Sequence, residues 1–258
     1  MTDQISKARA FRDLHVPGKP LLLFNVWDAG STKAVEKAGA LAIATGSWSV
    51  AAANGFDDGE KVPLDLAMKN LSRIVAATDL PVSVDIESGY GDAPEAVAQT
   101  VQKAIAAGAI GCNLEDSFPE NGKLRNAEAQ VERVRAARQA ANRSRFFINA
   151  RTDVFFQKPA SEHDDAMLEE AVRRANAYEA AGADGIFVPG LVDPNRIARL
   201  AKATALPINI MISGTTPSFD VLAGAGAARL SHGPGPYLTA MKALEDAARN
   251  VFAWQPRK

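Results

Sequence analysis

A recurring unit of helix end, glycine, short apolar run and polar turn most constrains the fold of this 258-residue chain. The unit is clearest in the stretches KAGALAIATG, AAGAIGCNLED, AAGADGIFVPG and GAGAARLSHG. In each stretch, glycine stands where a helix is commonly capped, and an apolar run of strand length follows. Strict alternation of helix and strand predicts parallel strands joined by right-handed crossovers.

Apolar runs of this kind predict eight strands. They are centred near Leu22, Ile43, Val84, Cys112, Phe147, Phe187, Ile208 and Leu230. Eight strand–helix units in about 250 residues are what a (β/α)8 TIM barrel requires. An open doubly wound sheet is the alternative, but no GxGxxG-type turn follows the first strand. No linker divides the chain, so we predict a single α/β barrel domain over residues 1–258, with an N-terminal helix at residues 3–14.

The charge balance argues against a nucleic-acid partner. Lys and Arg number 29 against 30 Asp and Glu, and no basic stripe with interleaved aromatic residues is present. No apolar run approaches the roughly 18 residues of a membrane span, and the N-terminus lacks the apolar segment of a signal peptide. We therefore predict a cytoplasmic protein without a membrane partner. Cys112, the single cysteine, is expected to be core filler rather than a reactive thiol.

Polar residues fall at the predicted carboxyl ends of the strands, where a barrel carries its active site. In the stretch PVSVDIESGYGD, Asp85 and Glu87 end a run that is otherwise typical of a buried strand. The same spacing of two recurs on the next two strands, in the pairs Asn113/Glu115 and Asn149/Arg151. Residues two apart on a strand point the same way, so three adjacent strands are predicted to direct polar pairs into one mouth.

Asp85, Glu87 and Glu115 form a ligand set made of oxygen alone. Buried carboxylates are costly unless a cation or hydrogen-bond donors compensate their charge. Hard cations prefer oxygen ligands and often keep bound water, so the pattern predicts Mg2+, with Mn2+ as the other candidate. A ring of ion pairs between Asp85, Glu115 and Arg151 that only closes the barrel top is the alternative.

Arg151 offers a planar guanidinium suited to a substrate carboxylate, and neutralising a neighbouring acid is its alternative role. A divalent cation beside an arginine suits a small 2-oxo acid, whose enolate the metal would stabilise. No lysine falls at a strand end, which argues against a Schiff-base aldolase. His232 is a candidate acid or base, or a structural hydrogen-bonding residue, and Asn209 is a candidate substrate-binding residue.

The segment AAANGFDDGEKVP, residues 51–63, is long for a connection between a strand and a helix. Gly55 and Gly59 could serve as hinges, so we predict a gating loop that brings Asp58 into the site on closure. A solvated surface loop is the alternative. Two helix starts are also predicted, a capping box of Asp92 with Glu95 and an N-cap at Ser161.

Several motifs, in order along the chain, resemble those of the isocitrate lyase/phosphoenolpyruvate mutase superfamily. They are FNVWDAGS, TGSWSVAAANGFDD, VDIESGYGD, GCNLEDS and INARTD, and the similarity extends from about Leu21 over nearly the whole chain. The resemblance implies a (β/α)8 barrel, an Mg2+-stabilised enolate and homotetramers that exchange a C-terminal helix. We therefore expect a homo-oligomer, either a dimer or a tetramer.

By motif, the resemblance also assigns roles to individual residues. Asp85, Glu87 and Glu115 match the metal-site acids, and Arg151 matches the arginine that binds the substrate carboxylate. The remaining matches are the backbone oxyanion site, Ser47 and Trp48, and the gating-loop aspartate of the mutases and phosphonopyruvate hydrolases, Asp58.

Two departures from the family pattern bear on the reaction. The segment SFPENGKLR after strand four lacks the Cys and His of the Lys-Lys/Arg-Cys-Gly-His loop of isocitrate and methylisocitrate lyases, so their cysteine general acid is missing. Pro189 and Gly190 stand where mutases usually carry a histidine after strand six. The chain therefore resembles the short branch of the superfamily, for which oxaloacetate decarboxylation or cleavage of a substituted malate is expected.

We predict an Mg2+-dependent carbon–carbon lyase or decarboxylase that acts on a small 2-oxo or 2-hydroxy dicarboxylic acid of the oxaloacetate, substituted malate or isocitrate type. Asp58 or His232 would manage protons. The first alternative is phosphonate chemistry, as in phosphoenolpyruvate mutase or phosphonopyruvate hydrolase, with Asp58 central. The second is a barrel that binds a small oxo acid without turning it over.

Overall fold

Eight parallel strands form a nearly closed barrel in the computed structural model, which describes residues 2–141 and 144–254. The strands are β1 (Leu21–Leu23), β2 (Ile43–Ala44), β3 (Val82–Asp85), β4 (Gly111–Glu115), β5 (Phe147–Arg151), β6 (Gly185–Phe187), β7 (Ile208–Met211) and β8 (Ala227–Ser231). Neighbours pair in sequence order from β2 to β8, and β8 pairs with β1. A parallel bridge between Val26 and Thr45 joins β1 to β2. The predicted (β/α)8 fold is confirmed.

Helices surround the barrel and connect its strands. They are α1 (Thr2–Asp13), α2 (Ala29–Lys37), α3 (Ser47–Ala53), α4 (Leu64–Ala76), α5 (Pro94–Ala106), α6 (Ala127–Ala140), α7 (Asp165–Ala180), α8 (Pro194–Ala203), α9 (Phe219–Gly224) and α10 (Gly235–Phe252). The connecting helices bury one apolar face, as α4 does with Met68, Leu71 and Ile74. In the described ranges, none of the helices combines the length and apolar character that crossing a bilayer demands.

Three local expectations need correction. The predicted gating loop begins later than residue 51, because Ser47–Ala53 is helical. Asp92 forms no capping box with Glu95; its carboxylate accepts a hydrogen bond from Arg125 Nη1 at 2.7 Å instead. The N-cap of α7 is Asp164 rather than Ser161, because residue 161 lies in a preceding 3-10 turn. In each case a tertiary contact or a short extra turn decides the local structure.

Helix α1 closes the amino-terminal end of the barrel. Phe11 is fully buried and packs edge-on against Phe147, with their ring centroids 5.4 Å apart. The imidazole of His15 stacks on the same Phe147 ring at 4.4 Å, and its Nδ1 pairs with the Phe11 carbonyl oxygen. Aromatic rings therefore pack across the bottom of the barrel.

Burial of His15 predicts a loss of stability in acid. Desolvation first, and then Arg229, lower the pKa of His15 from 6.5 to about 3. The unfolded chain gains a proton near its ordinary pKa, whereas the folded chain resists protonation down to the lowered value. Neutral His15 therefore contributes its full stability above about pH 6.5, and this contribution is lost as the pH falls toward about 3.

We expect His15→Gln to flatten the decline of Tm between about pH 7 and pH 4, measured by differential scanning calorimetry. His163→Gln is the matched control, because the His163 ring pairs with the carbonyl oxygens of Phe155 and Lys158 outside the barrel. A His15→Gln variant that keeps the wild-type pH slope would contradict this assignment.

Candidate active site

Two acidic side chains and one basic side chain lie together at the carboxyl ends of β3, β4 and β5, at the mouth of the barrel. Asp85, Glu115 and Arg151 are the last residues of these strands. Glu115 and Arg151 are register partners, and Arg151 Nη1 lies 2.7 Å from Glu115 Oε2. The strand-end argument therefore locates these three side chains, and their roles remain predictions.

Asp85 accepts hydrogen bonds from two directions. Its Oδ2 faces the hydroxyl of Ser47 at 3.1 Å and the Ser47 backbone N–H at 3.4 Å, and its Oδ1 accepts from the Glu87 N–H at 3.2 Å. The Ser47 N–H that the resemblance assigns to an oxyanion site thus points at a carboxylate oxygen here. Trp48, on the next position of α3, is 38% exposed and contacts Tyr237 edge-on.

Glu87 ties the loop before α4 to the turn after β3. Its Oε2 accepts the backbone N–H groups of Gly59 at 2.8 Å and Glu60 at 2.5 Å. The Glu60 carboxylate in turn accepts from the Ser88 hydroxyl and the Tyr90 N–H, each at 2.7 Å. Glu60, Glu87 and Tyr90 all have positive φ angles, which few residues other than glycine adopt. The loop therefore lies over the mouth, fastened by two glutamates.

Asp58 belongs to the same group of acids. Desolvation and the neighbouring Asp85 carboxylate raise its pKa, and a hydrogen bond to Ser47 and the charge of Arg151 oppose this rise. Gly59, next in the chain, has a φ of +89°, and a Cβ there would stand 3.1 Å from the Pro119 carbonyl oxygen. Glycine at this position thus allows close contact between this loop and the loop after β4, which keeps Asp58 at the mouth.

The ionised forms of two glutamates at the mouth are disfavoured by burial and by neighbouring acids. Desolvation, followed by the charges of Asp58 and Asp85, raises the pKa of Glu87 to about 8. Burial likewise raises the pKa of Glu115, against the opposing effect of Arg151, and Asp153 adds to the rise. A bound cation would stabilise the ionised forms of these groups.

The residues fit a metal ion held partly through water. Within the described ranges, no three acids or other ligating side chains converge closely enough to enclose an ion directly. Glu87 is bound to the loop, and Glu115 to Arg151. Mg2+ keeps several waters and commonly needs only one or two carboxylates, so an oxygen-only set centred on Asp85 suits it.

Arg151 is held by two carboxylates and still has donors to spare. Its Nε and Nη2 donate to Asp153 at 2.7 and 3.1 Å, and its Nη1 pairs with Glu115. A guanidinium has five N–H donors, so two remain for a ligand. The rings of Phe156 and Phe187 each lie 5.7 Å from its central carbon. The alternative role of Arg151, neutralising acids, is thus present, and its substrate role remains a prediction.

A buried network behind the mouth was missed by sequence reasoning. Asp116 is fully buried and accepts from Arg174 Nη1 at 2.9 Å, the Tyr178 hydroxyl at 2.8 Å and the Asp153 N–H at 3.0 Å. The Asp153 carboxylate also accepts from the Ser117 hydroxyl at 2.7 Å. Arg174 and Tyr178 lie one turn apart on α7, and no local pattern identifies their partner. The network fixes Asp153 and, through it, Arg151.

Two candidate residues do not reach the mouth. His232 Nδ1 pairs with the Leu23 carbonyl oxygen at 3.0 Å, and its ring lies near Phe24 and Phe219 beside an outer groove. Asn209 is fully buried, and its Nδ2 donates to Ser231. The sequence does not show whether either side chain faces the mouth, because a strand-end position does not reveal the direction of the side chain.

The asparagines of two predicted pairs also lie deeper than expected. Asn149 Nδ2 donates to Asn113 Oδ1 at 2.9 Å, and both side chains are buried. Residues two apart share a side of the strand, but they differ in height by about two residue rises. Only the second member of each pair, Glu115 or Arg151, therefore reaches the mouth.

Fold and site together define a (β/α)8-barrel protein with a mouth rich in acidic side chains and an arginine, Arg151, facing it. A family model described as phosphoenolpyruvate phosphomutase matches residues 11–252. The chain belongs to this family, within the isocitrate lyase/phosphoenolpyruvate mutase superfamily. The resemblance based on the sequence motifs is thereby confirmed.

Relatives of the chain carry several chemistries. It is 32% identical to 2-methylisocitrate lyase of Escherichia coli strain K12, over 96% of this chain and 83% of the relative. It is 30% identical to oxaloacetate decarboxylase of Bradyrhizobium diazoefficiens, over 91% of this chain and 81% of the relative. The chain is also 56% identical to a protein of Burkholderia cenocepacia J2315 whose crystal structure has a provisional phosphonomutase name. That match covers 96% of this chain and 99% of the other, with a TM-score of 0.94. The family is therefore shown, and the substrate is not.

A metal-bound example of this fold is also known. Phosphonopyruvate hydrolase, in a crystal structure with oxalate and Mg2+, matches with a TM-score of 0.80 over 96% of this chain and 86% of the other. At 24% identity this match shows the fold alone. Mg2+ is thus bound by a protein of the same fold.

Proposed function

We propose that this protein is an Mg2+-dependent carbon–carbon lyase or decarboxylase for a small 2-oxo or 2-hydroxy dicarboxylic acid. The observation that carries the proposal is the grouping of Asp85, Glu87 and Glu115 with Arg151 at the barrel mouth. Burial first, and then neighbouring charges, raise the pKa values of both glutamates, and a bound cation would favour their ionised forms. The lyase and decarboxylase relatives support the same reaction class.

Asp85, Glu87 and Glu115 would hold the metal, with Mn2+ as a substitute and water completing the shell. When bound, the metal would neutralise the negative charge that develops on the substrate oxygen. The two free N–H donors of Arg151 bind a substrate carboxylate, and Asp153 orients the guanidinium. The closed loop with Asp58 and Glu60 excludes water from the reacting carbons.

For a 2-oxo acid such as oxaloacetate, the bond from C3 to the distal carboxylate breaks and carbon dioxide leaves. Its electron pair moves between C2 and C3, and C3 is then protonated. For a 2-hydroxy acid, the hydroxyl loses its proton, C2 becomes a carbonyl carbon and the bond from C2 to C3 breaks. The electron pair of that bond stays on C3, where the attached carboxylate delocalises it, and C3 is then protonated. Asp58 is the proton carrier in this proposal, because its raised pKa favours proton uptake and His232 faces away from the mouth.

A calorimetric titration of oxalate, with and without Mg2+, tests the site, and a screen of 2-oxo and substituted malate acids tests the reaction. We expect metal-dependent oxalate binding and turnover of at least one acid above the rate with free metal. Failure of oxalate to bind would overturn the proposal. Metal-dependent binding without turnover would favour the non-catalytic oxo-acid barrel.

Phosphonate chemistry is the second candidate, favoured by the name of the 56% identical relative and by Asp58 at the mouth. Pro189 and Gly190 after β6 weigh against a mutase, because the histidine expected there is absent. Turnover of phosphonopyruvate that disappears in Asp58→Ala, with no activity on carbon–carbon substrates, would favour this candidate.

We also propose that the protein is a homo-oligomer. Leu22 and Phe24, on the outer face of β1, are each 46% exposed and line a groove of about 730 Å³ together with Leu41 and Phe219. Helix α10 has only Pro236 buried, and it carries exposed apolar side chains at Leu238, Leu244, Val251 and Phe252. A second copy of α10 in the groove would cover both surfaces, consistent with the exchanged helix of the resemblance.

The double variant Leu244→Glu/Phe252→Glu is therefore expected to shift the protein to a monomer in size-exclusion chromatography with light scattering. Both substitutions place a charge where an apolar contact is proposed. Asn250→Glu, at an exposed polar position of the same helix, is expected to leave the assembly intact. A monomeric wild type, or a double variant that stays oligomeric, would contradict the proposed interface.

A further inference from the structure

Among the residues that the structure describes, Arg229 has no ion-pair partner, although it is a charged side chain inside the barrel. It lies on β8, two residues before the strand end, and is 1% exposed. Its Nη2 donates to Asn113 Oδ1 at 3.2 Å, and neither its Nε nor its Nη1 has a hydrogen-bond partner among the described residues. Below it, the Phe11 ring of α1 lies 5.9 Å from the guanidinium carbon.

The other buried arginines in the described ranges are compensated. Arg125 pairs with Asp92, and Arg174 pairs with Asp116. Arg133 donates to the backbone carbonyl oxygens of Ser88, Gly91 and Asp92. A buried charge normally requires such partners. The position of Arg229 therefore calls for a different source of stabilisation.

That source is the acidic mouth, whose Asp85 is linked to Arg229 through Asn113. The acceptor of Arg229, Asn113, is the register partner of Asp85 on the adjacent strand. Burial lowers the pKa of Arg229 to about 10, and the Asp85 carboxylate acts in the opposite direction. The side chain therefore stays charged at neutral pH. In the part of the chain that the structure describes, the mouth holds Arg151 beside the acidic side chains of Asp58, Asp85, Glu87, Glu115 and Asp153.

We propose that Arg229 is an electrostatic positioning residue, whose buried positive charge favours anionic ligands at the mouth and disfavours cations there. The inference rests on the proposed function, because it assigns a cation and an organic anion to the same mouth. Because the surrounding protein has a low dielectric constant, the charge of Arg229 acts on ligands at the mouth with little screening. Arg229 touches no ligand and acts through its field and through Asn113.

This role predicts effects of opposite sign on the two ligands. Neutral Arg229→Met and Arg229→Gln should weaken metal-dependent oxalate binding about ten-fold and tighten Mn2+ binding to the ligand-free protein several-fold. Charge-conserving Arg229→Lys should leave both dissociation constants within about three-fold of wild type. If Arg229 had only a structural role, its substitution would instead weaken the binding of both ligands, because a distorted mouth binds neither well.

Calorimetry with Mn2+ alone, and with oxalate at saturating Mn2+, measures both constants in each variant. Arg173→Met, at an exposed position on α7, is the matched control and should change neither constant. If the neutral variants do not fold, Asn209→Asp provides the test, since residue 209 is the register partner of Arg229 and a carboxylate there would neutralise it in place.

Opposite shifts in Arg229→Met or Asn209→Asp, with recovery in Arg229→Lys, would support the inference. Weaker binding of both ligands, or unchanged dissociation constants in the neutral variants, would overturn the inference and leave the proposed function standing. A wild-type protein that binds no oxalate with Mn2+ would overturn the proposed function, and the role of Arg229 with it.

Discussion

Asp85→Ala is expected to abolish metal-dependent oxalate binding and to lower turnover by on the order of 10³-fold. Asp85 ends β3 at the centre of the acid group, with Ser47 on one oxygen and the Glu87 N–H on the other. Removing it leaves Glu87 engaged by the loop and Glu115 engaged by Arg151. Neither of the other two predicted metal-site acids would then be free to replace it as a direct ligand.

Asp57→Ala is the matched control for this variant, because Asp57 is an exposed acid beside Asp58 in the same loop. It should retain oxalate binding and turnover within about two-fold, as is usual for an exposed site. Calorimetry and steady-state assays on both variants decide the matter. Full activity in Asp85→Ala would contradict the metal role of Asp85 and, with it, the proposed mechanism.

Asp116→Ala is expected to lower the free energy of unfolding by about 3–5 kcal/mol, because it leaves a buried arginine without its carboxylate. Asp116 is the fully buried partner of Arg174 and Tyr178, and it also accepts the Asp153 N–H. Its loss should therefore also release Asp153, which holds Arg151 in place, and weaken oxalate binding. Urea denaturation measures the first effect and calorimetry the second.

Glu170→Ala tests the same arginine from its outer side. Glu170 accepts from Arg174 Nε at 2.6 Å, but its side chain is 31% exposed and water can replace it. We expect a loss of no more than about 1 kcal/mol there. Equal destabilisation by the two variants would show that burial of Asp116 is not what makes this pair important.

The eight strands could be predicted from the sequence because each depends on local periodicity and on glycine after the preceding helix. The run around Phe187 is apolar throughout, as is typical of strands covered on both faces. The structure places a strand at each predicted centre. Helix starts were less accurate, since Asp92 could cap a helix or pair with Arg125, and only a residue 33 positions away decides between them.

The site could be predicted in its outline because strand ends in a barrel meet at one mouth. This rule places Asp85, Glu115 and Arg151 together from the sequence alone. The direction of a side chain beyond the strand is not encoded in the same way. His232 turns to the outer groove because the Leu23 carbonyl oxygen and two phenylalanine rings receive it there.

The sequence by itself determined the barrel, its order of strands and the acids at its mouth, because periodicity and strand-end position are local properties of the chain. Only the tertiary structure decided the heights of Asn113, Asn149 and Arg229 inside the barrel and the partner of Asp116. Those depend on strand register and on contacts between residues as far apart as Asn113 and Arg229. Such contacts form only when the barrel closes.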